Sequence, residues 1–491
     1  MERSHGVVHR GELPPLGTVF KPGRFGRMFP QLRPFLPTPE ALNELGAAMR
    51  DGGPRASADA RSEDNPDVPA GYTYLGQFID HDITLDTTTL SEQPIDPQAV
   101  FNFRTPKLEL DSVYGLGPNG QPYLYERDAP ERFIIGKTVV GRGDPNIPAD
   151  FPNDLPRSTQ GFALIGDPRN DENLLVAQLH LAFLKFHNKV VDLLTVQGIP
   201  KASLFEEARR TVRWHYQWMV LNDFLPRLVD PCILDSVRGS ACRDFLFEDE
   251  PFIPVEFSVA AYRLGHSMVR QVYNHNRVFR PDGVAPATLN LLFVFSGLSG
   301  NIRGAGSELA ALPSDWIIDW RRFFELHTTE TRPEQGFGLN LSRTLDPFLA
   351  AELHELPKGG GNLASRNLQR GRMMQLPSGQ SVACALRVAP LSAEALACGP
   401  DGRVAKKHGF DRQTPLWYYI LKEAQVQGQG KRLGEVGSRI LSEVFVGLLE
   451  GDPESFLAQM PDWTPTLPAE SPGTFTMADM LRFVDDLNPI G

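Results

Sequence analysis

The segment Gly71–Asp86 places a glutamine, two aspartates and a histidine within six residues, between apolar neighbours. Its apolar positions allow a helix, on which residues three and four apart share a face. That face would carry Gln77, Asp80, His81 and Thr84. Asp82 would point roughly 100° away from His81. A histidine beside carboxylates can transfer protons or bind a metal ion, as in a hydrolase, and the same pattern also fits a solvated surface helix.

Three other clusters could supply partners for this segment. Arg169 and Glu172 lie three residues apart just before a long apolar run, where a surface ion pair at a helix N-terminus is the simpler interpretation. His266 follows Gly265 in an apolar segment. A hydrogen-bonded core histidine is the simpler interpretation there, although the glycine would let a large flat group approach the backbone. The third cluster, Asn367–Arg372, is either a solvated loop or a source of an amide and of arginines for anionic groups.

Helical periodicity predicts the elements that position these clusters. The predicted helices are Thr38–Arg50, Asn173–Leu194, Lys201–Leu228, Phe257–Tyr273, Thr414–Gln425 and Gly434–Glu450. The second of them is apolar around most of its circumference, which predicts a central buried helix. Strand-like alternation is scarce, so the predicted fold class is all-α, with long loops and little sheet. Residues 1–64, rich in Pro, Gly and Arg, are predicted to form an irregular arm around a single helical domain at 65–491.

Composition limits the classes of binding partner and the cellular compartments that we expect for this protein. The net charge is -11 without a basic run, which disfavours nucleic acid and anionic membranes as partners. The N-terminus lacks a signal-peptide core, and no stretch reaches the roughly 18 to 20 apolar residues of a membrane span. We therefore expect a cytoplasmic protein or one exported by an unconventional route, with a monomer as the simplest oligomeric state. The four cysteines, Cys232, Cys242, Cys384 and Cys398, lack CxxC spacing and are predicted to be reduced and buried.

Taken together and in this order, the clusters resemble the animal-type haem peroxidases of the peroxidase and cyclooxygenase superfamily. The matching motifs are GQFxDHD at Gly76–Asp82, RxxE at Arg169–Glu172, LHxxFLxxHN at Leu179–Asn188, RxGH at Arg263–His266 and NxQRxR at Asn367–Arg372. The wording DPRNDEN at Asp167–Asn173 and LDSVYG at Leu110–Gly115 resembles bacterial members most. The resemblance implies the haem-dependent peroxidase fold of the myeloperoxidase type and haem b as cofactor.

On the distal side of the haem the resemblance implies roles for five residues. His81 is similar to the histidine that takes a proton from hydrogen peroxide and returns it to the departing oxygen, a contribution of roughly 10² to 10⁴ in rate. Arg169 is similar to its partner, which stabilises negative charge on that oxygen, and Gln77 lines the cavity. Asp80 and Glu172 match the carboxylates that form ester links to the haem in the mammalian branch. Whether these esters form here is left open.

On the proximal side His266 is similar to the histidine that ligates the iron. Asn367 matches the residue that accepts a hydrogen bond from the proximal imidazole NH, an interaction that adjusts the potential of the iron. Arg263 and Arg370, in the same two motifs, are implied to contribute to haem binding.

Two departures from the family pattern bear on the substrate. Asn173 stands where myeloperoxidase has a methionine linked to the haem, so no sulfonium bond can form. The expected donors are therefore bromide, iodide, thiocyanate or small organic molecules rather than chloride. Arg263 stands where the fatty-acid dioxygenases of the superfamily have a radical-forming tyrosine. Tyr262 is one residue too early and is expected on a different side of the helix.

A calcium site is the second cofactor that the resemblance implies. In the family an aspartate directly after the distal histidine pairs with a loop, and the counterparts here are Asp82, Thr105, the carbonyl of Lys107, Glu109 and Asp111. Oxygen ligands from two separate segments suit a hard cation. The loop acids differ from the mammalian pattern, which leaves the geometry of the site open.

The predicted function is therefore a haem peroxidase that reduces hydrogen peroxide and oxidises a halide, a pseudohalide or a small organic donor. Three alternatives stay open. They are a fatty-acid oxygenase of the same superfamily, a metal-dependent hydrolase that uses Asp80, His81 and Asp82, and a catalytically silent matrix or adhesion protein that keeps the fold.

Overall fold

A computed structural model describes residues 25–53, 62–85, 102, 104–239, 243–247, 250–299, 302, 310–326 and 338–491. Helices dominate these residues. The helices of ten or more residues are α1 (Pro39–Ala48), α2 (Gly71–Ile83), α3 (Leu174–Val196), α4 (Lys201–Met219), α5 (Leu363–Met373), α6 (Leu416–Val426) and α7 (Glu435–Gly451). Shorter helices are Asp111–Tyr114, Gly117–Gly120, Leu225–Leu228, Pro231–Arg238, Val255–Ser258, Leu289–Val294, Gly379–Ala385, Ala393–Leu396, Gly399–Lys407, Phe456–Gln459 and Met477–Val484. None of the described helices combines the length and the apolar character that crossing a bilayer requires.

Strands in the described part of the chain form two-stranded sheets only, which confirms the predicted all-α fold class. The strands are β1 (Phe25–Gly26), β2 (Asp64–Pro69), β3 (Ile253–Pro254), β4 (Val272–Tyr273), β5 (Ala287–Thr288) and β6 (Leu341–Arg343). β1 pairs with β3 in parallel, while β2 pairs with β6 and β4 with β5 in antiparallel orientation.

The central buried helix is α3, as predicted from its apolar circumference. The side chain of Asn173 begins it by accepting a hydrogen bond from the backbone N–H of Val176 at 3.1 Å. Phe78 of α2 stacks on Phe183 of α3 with ring centroids 4.6 Å apart, and meets Tyr216 of α4 edge to face. Helix α2 is therefore fixed by aromatic packing against the two longest helices.

The predicted helix Lys201–Leu228 is confirmed as one continuous helical path, since α4 passes through a π turn at Val220–Phe224 into Leu225–Leu228. Such turns frequently occur at functional sites because they redirect side chains. This one directs Asp223 to the Tyr72 hydroxyl, which donates to the carboxylate at 2.8 Å.

The predicted helix Phe257–Tyr273 is wrong. The chain forms instead a helical turn at Val255–Ser258, a 3₁₀ helix at Ala261–His266 and strand β4. Ala260, with φ -125° and ψ -74°, lies outside the helical region and separates the first two elements. The Arg263 side chain donates to the Ser258 carbonyl at 3.1 Å. The apolar recurrence of this segment reflects burial of an irregular path rather than one face of a helix.

The cluster Asn367–Arg372 lies within helix α5 and is not a solvated loop. Asn362 begins α5 by accepting from the backbone N–H of Ser365 at 3.1 Å. Helix α1 packs against it, and Gln369 donates to the Pro39 carbonyl at 2.9 Å. A Cβ at Gly46 of α1 would clash with Ser365 at 2.4 Å, so glycine allows the close approach of these two helices.

The prediction of buried cysteines is wrong for Cys232, Cys384 and Cys398, which are free and exposed. They lie on short helices or at the end of one, with their side chains on the outer face, so apolar character alone did not place them in the core. Cys242 lies outside the described residues.

Candidate active site

A cavity of about 430 Å³ is lined by residues of α2 and of the 3₁₀ helix Ala261–His266. The two elements contribute Gln77, Asp80, His81, Arg263, Gly265 and His266. The Tyr262 hydroxyl joins them by donating to the Gly76 carbonyl at 3.1 Å. A Cβ added at Gly265 would meet no atom within 4 Å. Open space therefore continues along the backbone beside His266, as a large flat ligand requires.

The side-chain amide of Asn170, a residue that was not predicted as part of the site, holds His81 at the cavity. Nδ1 of His81 lies 2.8 Å from Oδ1 of Asn170. A carbonyl oxygen only accepts hydrogen bonds, so Nδ1 carries the proton and Nε2 keeps its lone pair. Burial lowers the pKa of His81 to about 3, and the nearby charge of Arg169 acts in the same direction. A neutral imidazole with a free Nε2 can act as a proton acceptor.

Arg169 lies beside His81 but is not among the described residues that line the cavity. Its Nη2 donates to the carbonyls of His81 at 3.0 Å and Thr84 at 2.6 Å, at the C-terminal end of α2. It also forms an ion pair with Asp167 at 2.8 Å. These bonds hold Arg169 against the C-terminal end of α2. Its positive charge therefore lies near the imidazole of His81.

Gln77 lines the cavity and is joined to Asn173. The Asn173 amide donates to Oε1 of Gln77 at 3.1 Å, while its own oxygen begins helix α3. Both residues line the cavity. The polar wall beside His81 is therefore made of neutral amides whose orientation is fixed by a helix N-terminus.

Asp80 and Glu172 both line the cavity. Burial raises the pKa of each carboxyl group, and Arg169 opposes this shift in both. The Thr84 hydroxyl donates to Oδ1 of Asp80 at 3.0 Å. Two carboxyl groups from different elements thus reach one ligand space.

His266 is paired with Asn367, but the amide presents its nitrogen to the imidazole and not the accepting oxygen that the resemblance implied. Nδ2 of Asn367 lies 2.7 Å from Nδ1 of His266, and Arg263 donates to Oδ1 of Asn367 at 3.1 Å. Because Arg263 uses the amide oxygen, the amide nitrogen donates to His266. Burial lowers the pKa of His266 to about 3, and the charge of Arg263 adds to this effect.

Of the arginines in the NxQRxR motif, Arg370 is buried in α5 but does not line the cavity among the described residues. Arg366, one helical turn earlier, does line it. The motif therefore indicated the correct helix, while the cavity receives the charge of a residue that stands just before the motif.

The predicted calcium residues are only partly brought together. Oδ2 of Asp82 accepts from the Leu110 N–H at 3.1 Å, while Oδ1 is buried without a hydrogen-bond partner among the described residues. Burial and the nearby Asp111 raise the pKa of Asp82 well above its usual range. Arg104 forms an ion pair with Asp111 at 3.2 Å. A cation here would lie beside an arginine that already partly neutralises the acids.

Of the other predicted loop residues, Thr105 and Glu109 contact each other, while the side chain of Lys107, expected to act through its carbonyl, is directed elsewhere. The Thr105 hydroxyl donates to Glu109, and the Lys107 side chain forms an ion pair with Asp452 at 3.1 Å. Within the described residues no group of three or more His, Cys, Asp or Glu side chains is arranged to hold a metal ion. A calcium site would therefore depend on carbonyl and hydroxyl oxygens as well as on carboxylates. The hydrolase alternative loses support, because Asp82 does not line the cavity with Asp80 and His81.

Sequence reasoning missed Asn170, Arg366 and the lining role of Tyr262. Asn170 stands between the two charged residues of the RxxE motif, and only its 3₁₀ helix at Pro168–Asp171 turns it toward His81. Tyr262 was expected on a different side of the helix from Arg263, yet both residues line the cavity.

Comparison with known proteins points to one family. Residues 97–390, more than half of the chain, match the sequence profile described as "Animal haem peroxidase". The matched range includes Arg169, His266 and Asn367 and begins after His81. A peroxidase-like protein of Margaritifera margaritifera is 32% identical over 225 residues, 43% of this chain and 26% of that protein. Dog thyroid peroxidase is 27% identical over 303 residues, 57% of this chain and 29% of that protein. The matched segments thus span less than a third of these curated relatives.

Solved structures share the fold at low sequence identity. Peroxidase A of Dictyostelium discoideum has a TM-score of 0.59 at 15% identity, covering 99% of this chain and 97% of that one. The fatty acid alpha-dioxygenase of Oryza sativa has a TM-score of 0.58 at 15% identity, covering 93% of this chain and 79% of that one.

Proposed function

The chain belongs to the animal haem peroxidase family, and from this premise we propose that it is a haem peroxidase that reduces hydrogen peroxide and oxidises a small donor. The observation that carries the proposal is the cavity itself, which is lined both by a histidine with a free Nε2, His81, and by a second histidine next to open backbone space, His266. The family match extends over the second histidine but not the first. The geometry of His81 is therefore independent support.

The residues present fit a haem. His266 would ligate the iron, the space beside Gly265 would accept the porphyrin, and Arg263 and Arg366, which line the cavity, would supply positive charge for a ligand with carboxylates. The haem, when bound, supplies the redox chemistry. His81 accepts the first proton of hydrogen peroxide at Nε2 and can return it to the leaving oxygen. Arg169 favours the neutral form of His81 through its charge.

The donors that we propose are bromide, iodide, thiocyanate or small organic molecules. Asn173 supplies an amide and no thioether at the cavity wall, so a methionine-type link to the haem is impossible. Burial raises the pKa of the carboxyl groups of Asp80 and Glu172. Both stay candidates for ester links to haem b. Resistance of the haem to acid extraction, lost in Asp80→Asn or Glu172→Gln, would be the sign of an ester, and free extraction from the unmodified chain would exclude it.

The decisive experiment is the absorption spectrum of the whole chain expressed with haem supply, before and after hydrogen peroxide. We expect a Soret band that shifts on addition of peroxide and recovers with iodide or guaiacol. A colourless protein would contradict haem binding. A Soret band that does not respond to peroxide would favour the catalytically silent alternative.

A fatty-acid oxygenase is the second candidate function, favoured by one observation. The Tyr262 ring lines the cavity, four residues before His266, and stacks on Phe257 at 4.9 Å. An oxygenase would consume oxygen with an unsaturated fatty acid and no peroxide, and Tyr262→Phe would abolish that uptake. Uptake that stays at background while iodide is oxidised with peroxide would exclude it.

We also propose calcium at Asp82 and the loop Thr105–Asp111, because one buried oxygen of Asp82 lacks a hydrogen-bond partner within the described part of the chain. An ion bound only to the folded chain stabilises it, by about 2.7 kcal/mol at a hundredfold excess over the dissociation constant. We expect calcium to raise the melting temperature of the chelator-treated chain, and Asp82→Asn to remove the rise. An equal rise in Asp82→Asn would place the ion elsewhere.

We propose that residues 65–491 form one catalytic domain. We also propose a bacterial type, because the sequences DPRNDEN and LDSVYG resemble bacterial members of the family. Helix α1 contributes Leu42 and Leu45, both fully buried, to the same core. The part of the preceding arm that contains α1 would thus fold together with this domain.

A further inference from the structure

Behind His81 the hydrogen bonds continue into the core. Oδ1 of Asn170 lies 2.8 Å from Nδ1 of His81, and Nδ2 of Asn170 lies 2.9 Å from Nδ1 of His180, a residue of α3. His81 is 4% exposed, and Asn170 and His180 are 0% exposed. Nε2 of His180 has no hydrogen-bond partner among the described residues. The three side chains thus form a row that begins at the cavity and ends in the apolar interior.

The polarity of this row follows from the amide of Asn170. An amide accepts at its oxygen and donates at its nitrogen. His81 therefore donates from Nδ1, and His180 accepts at Nδ1 and carries its proton on Nε2. If the amide turned by 180°, both imidazoles would have to change tautomer together, and His81 would then carry a proton on Nε2.

The surroundings restrict Asn170 to this role. Its backbone N–H donates to the Asp167 carbonyl at 3.0 Å within the 3₁₀ helix. The next residue, Asp171, forms an ion pair with Arg157 at 2.7 Å and accepts from the Gly297 N–H at 2.8 Å. The backbone on both sides of Asn170 is thus fixed, and only its amide orientation is left for His180 to set.

We propose that Asn170 and His180 are positioning residues that hold His81 in the tautomer whose Nε2 accepts a proton from a ligand in the cavity. The proposal rests on the proposed function for the identity of that ligand, hydrogen peroxide, and for nothing else. His180 acts through Asn170: it accepts from the amide nitrogen and so keeps the amide oxygen directed at His81.

The first test measures the tautomer without haem, in the whole chain labelled with ¹⁵N-histidine. Long-range ¹H–¹⁵N correlations distinguish a protonated ring nitrogen from one with a lone pair, and the spectrum of His81→Gln assigns the signals of His81. We expect a protonated Nδ1 and an unprotonated Nε2. A protonated Nε2 in the unmodified chain would overturn the proposal.

Substitutions at Asn170 and His180 distinguish the effect of their hydrogen bonds on the tautomer from the effect of side-chain packing. Asn170→Asp keeps an acceptor for His81 and should keep the tautomer, whereas Asn170→Leu should lose it. His180→Leu removes the acceptor of the amide nitrogen and should mix the two tautomers, and His180→Gln, which retains an acceptor oxygen, should restore the original one. The conservative pair keeps the test valid if a leucine variant fails to fold.

His187 supplies the matched control. It lies seven residues further along α3, is buried, and is hydrogen-bonded to the Tyr114 hydroxyl at 3.0 Å and to the Glu131 carbonyl at 2.8 Å. His187→Gln should leave the tautomer of His81 unchanged. A change of the same size as in His180→Leu would mean that the effect arises from general loosening of α3.

The second readout is the rate constant for the reaction of the haem-loaded chain with hydrogen peroxide. It should fall at least tenfold in Asn170→Leu, and in His180→Leu in proportion to the share of His81 that adopts the other tautomer; the whole contribution of a general base is roughly 10² to 10⁴. The rate with the reducing donor should stay unchanged. Variants that keep the original tautomer and peroxide rate would overturn the proposal even if the haem binds, whereas a missing Soret band with the expected tautomer would overturn the proposed function alone.

Discussion

The cavity contains two histidines, each with Nδ1 against the amide of an asparagine, and the two amides present opposite ends. Asn170 presents its oxygen to His81, while Asn367 presents its nitrogen to His266. The distal ring therefore carries its proton on Nδ1 and the proximal ring carries it on Nε2. The same pair of residue types thus produces opposite tautomers on the two sides.

The residue behind each amide explains the difference. His180 accepts from the nitrogen of Asn170, whereas Arg263 donates to the oxygen of Asn367. Ligation of iron through Nε2 of His266 requires the proton to leave that nitrogen. Under the proposed function, the distal side therefore has its working tautomer already, while the proximal side would have to rearrange on binding haem.

Removal of His266 has the largest expected effect. His266→Ala deletes the proposed iron ligand, so haem affinity should fall by more than the roughly 10- to 100-fold caused by loss of a residue that supports a ligand. Added imidazole should restore the Soret band, because the space beside Gly265 is open. His275→Gln, at a buried histidine that does not line the cavity, should leave the spectrum intact. Normal haem binding by His266→Ala would remove the proximal half of the comparison.

Substitution of the distal histidine should affect one step only. His81→Leu removes the proton acceptor, so the rate constant with hydrogen peroxide should fall by roughly 10² to 10⁴. Its haem affinity should stay close to that of the unmodified chain, because His81 is not the proposed ligand. Stopped-flow kinetics and haem titration measure the two quantities separately. Loss of haem affinity equal to that in His266→Ala would show that the two sides are not distinct.

The sequence predicted the long helices because apolar periodicity extends over many turns in α3, α4 and α7. It failed at Phe257–Tyr273, where a 3₁₀ helix and an irregular path bury the same apolar residues without a helical period. Tertiary contacts such as the bond from Arg263 to the Ser258 carbonyl determine that path. No local pattern encodes them.

At the site, the motifs predicted that Gln77 and His81 would come together with His266, and they do line one cavity. The amide polarities could not be predicted. Asn170 and Asn367 are both asparagines, and only their partners, residues distant in sequence or on another element, decide which end of each amide faces a histidine. The calcium residues were predicted by resemblance, and the position of Arg104 beside Asp111 was not.

The rearrangement of Asn367 should be visible in long-range ¹H–¹⁵N correlations, as a change in which ring nitrogen of His266 carries the proton. In the haem-free chain His266 should be protonated at Nε2, and in the diamagnetic ferrous carbon monoxide form at Nδ1, with the amide oxygen turned toward it. Loss of the bond from Arg263 costs about 1.5–3 kcal/mol unless a carboxylate of the haem takes its place. Asn367→Leu should lower haem affinity roughly 10- to 100-fold, whereas Asn170→Leu should leave it unchanged. Equal effects of the two variants would contradict separate roles for the two amides.

Lowering the pH should change the rate constant with hydrogen peroxide least of all these perturbations, and a flat pH profile is itself informative. Burial lowers the pKa of His81 to about 3, so the ring stays neutral from pH 8 down to about pH 4 and gains a proton only below that range. The rate constant with hydrogen peroxide should therefore be constant within about twofold between pH 8 and pH 5, and fall as the pH approaches 3. His81→Leu should lack the final fall. An inflection near 6.5, the usual pKa of histidine, would mean that His81 is solvated. The hydrogen bond to Asn170 would then not define its protonation, and the contrast with His266 would no longer hold.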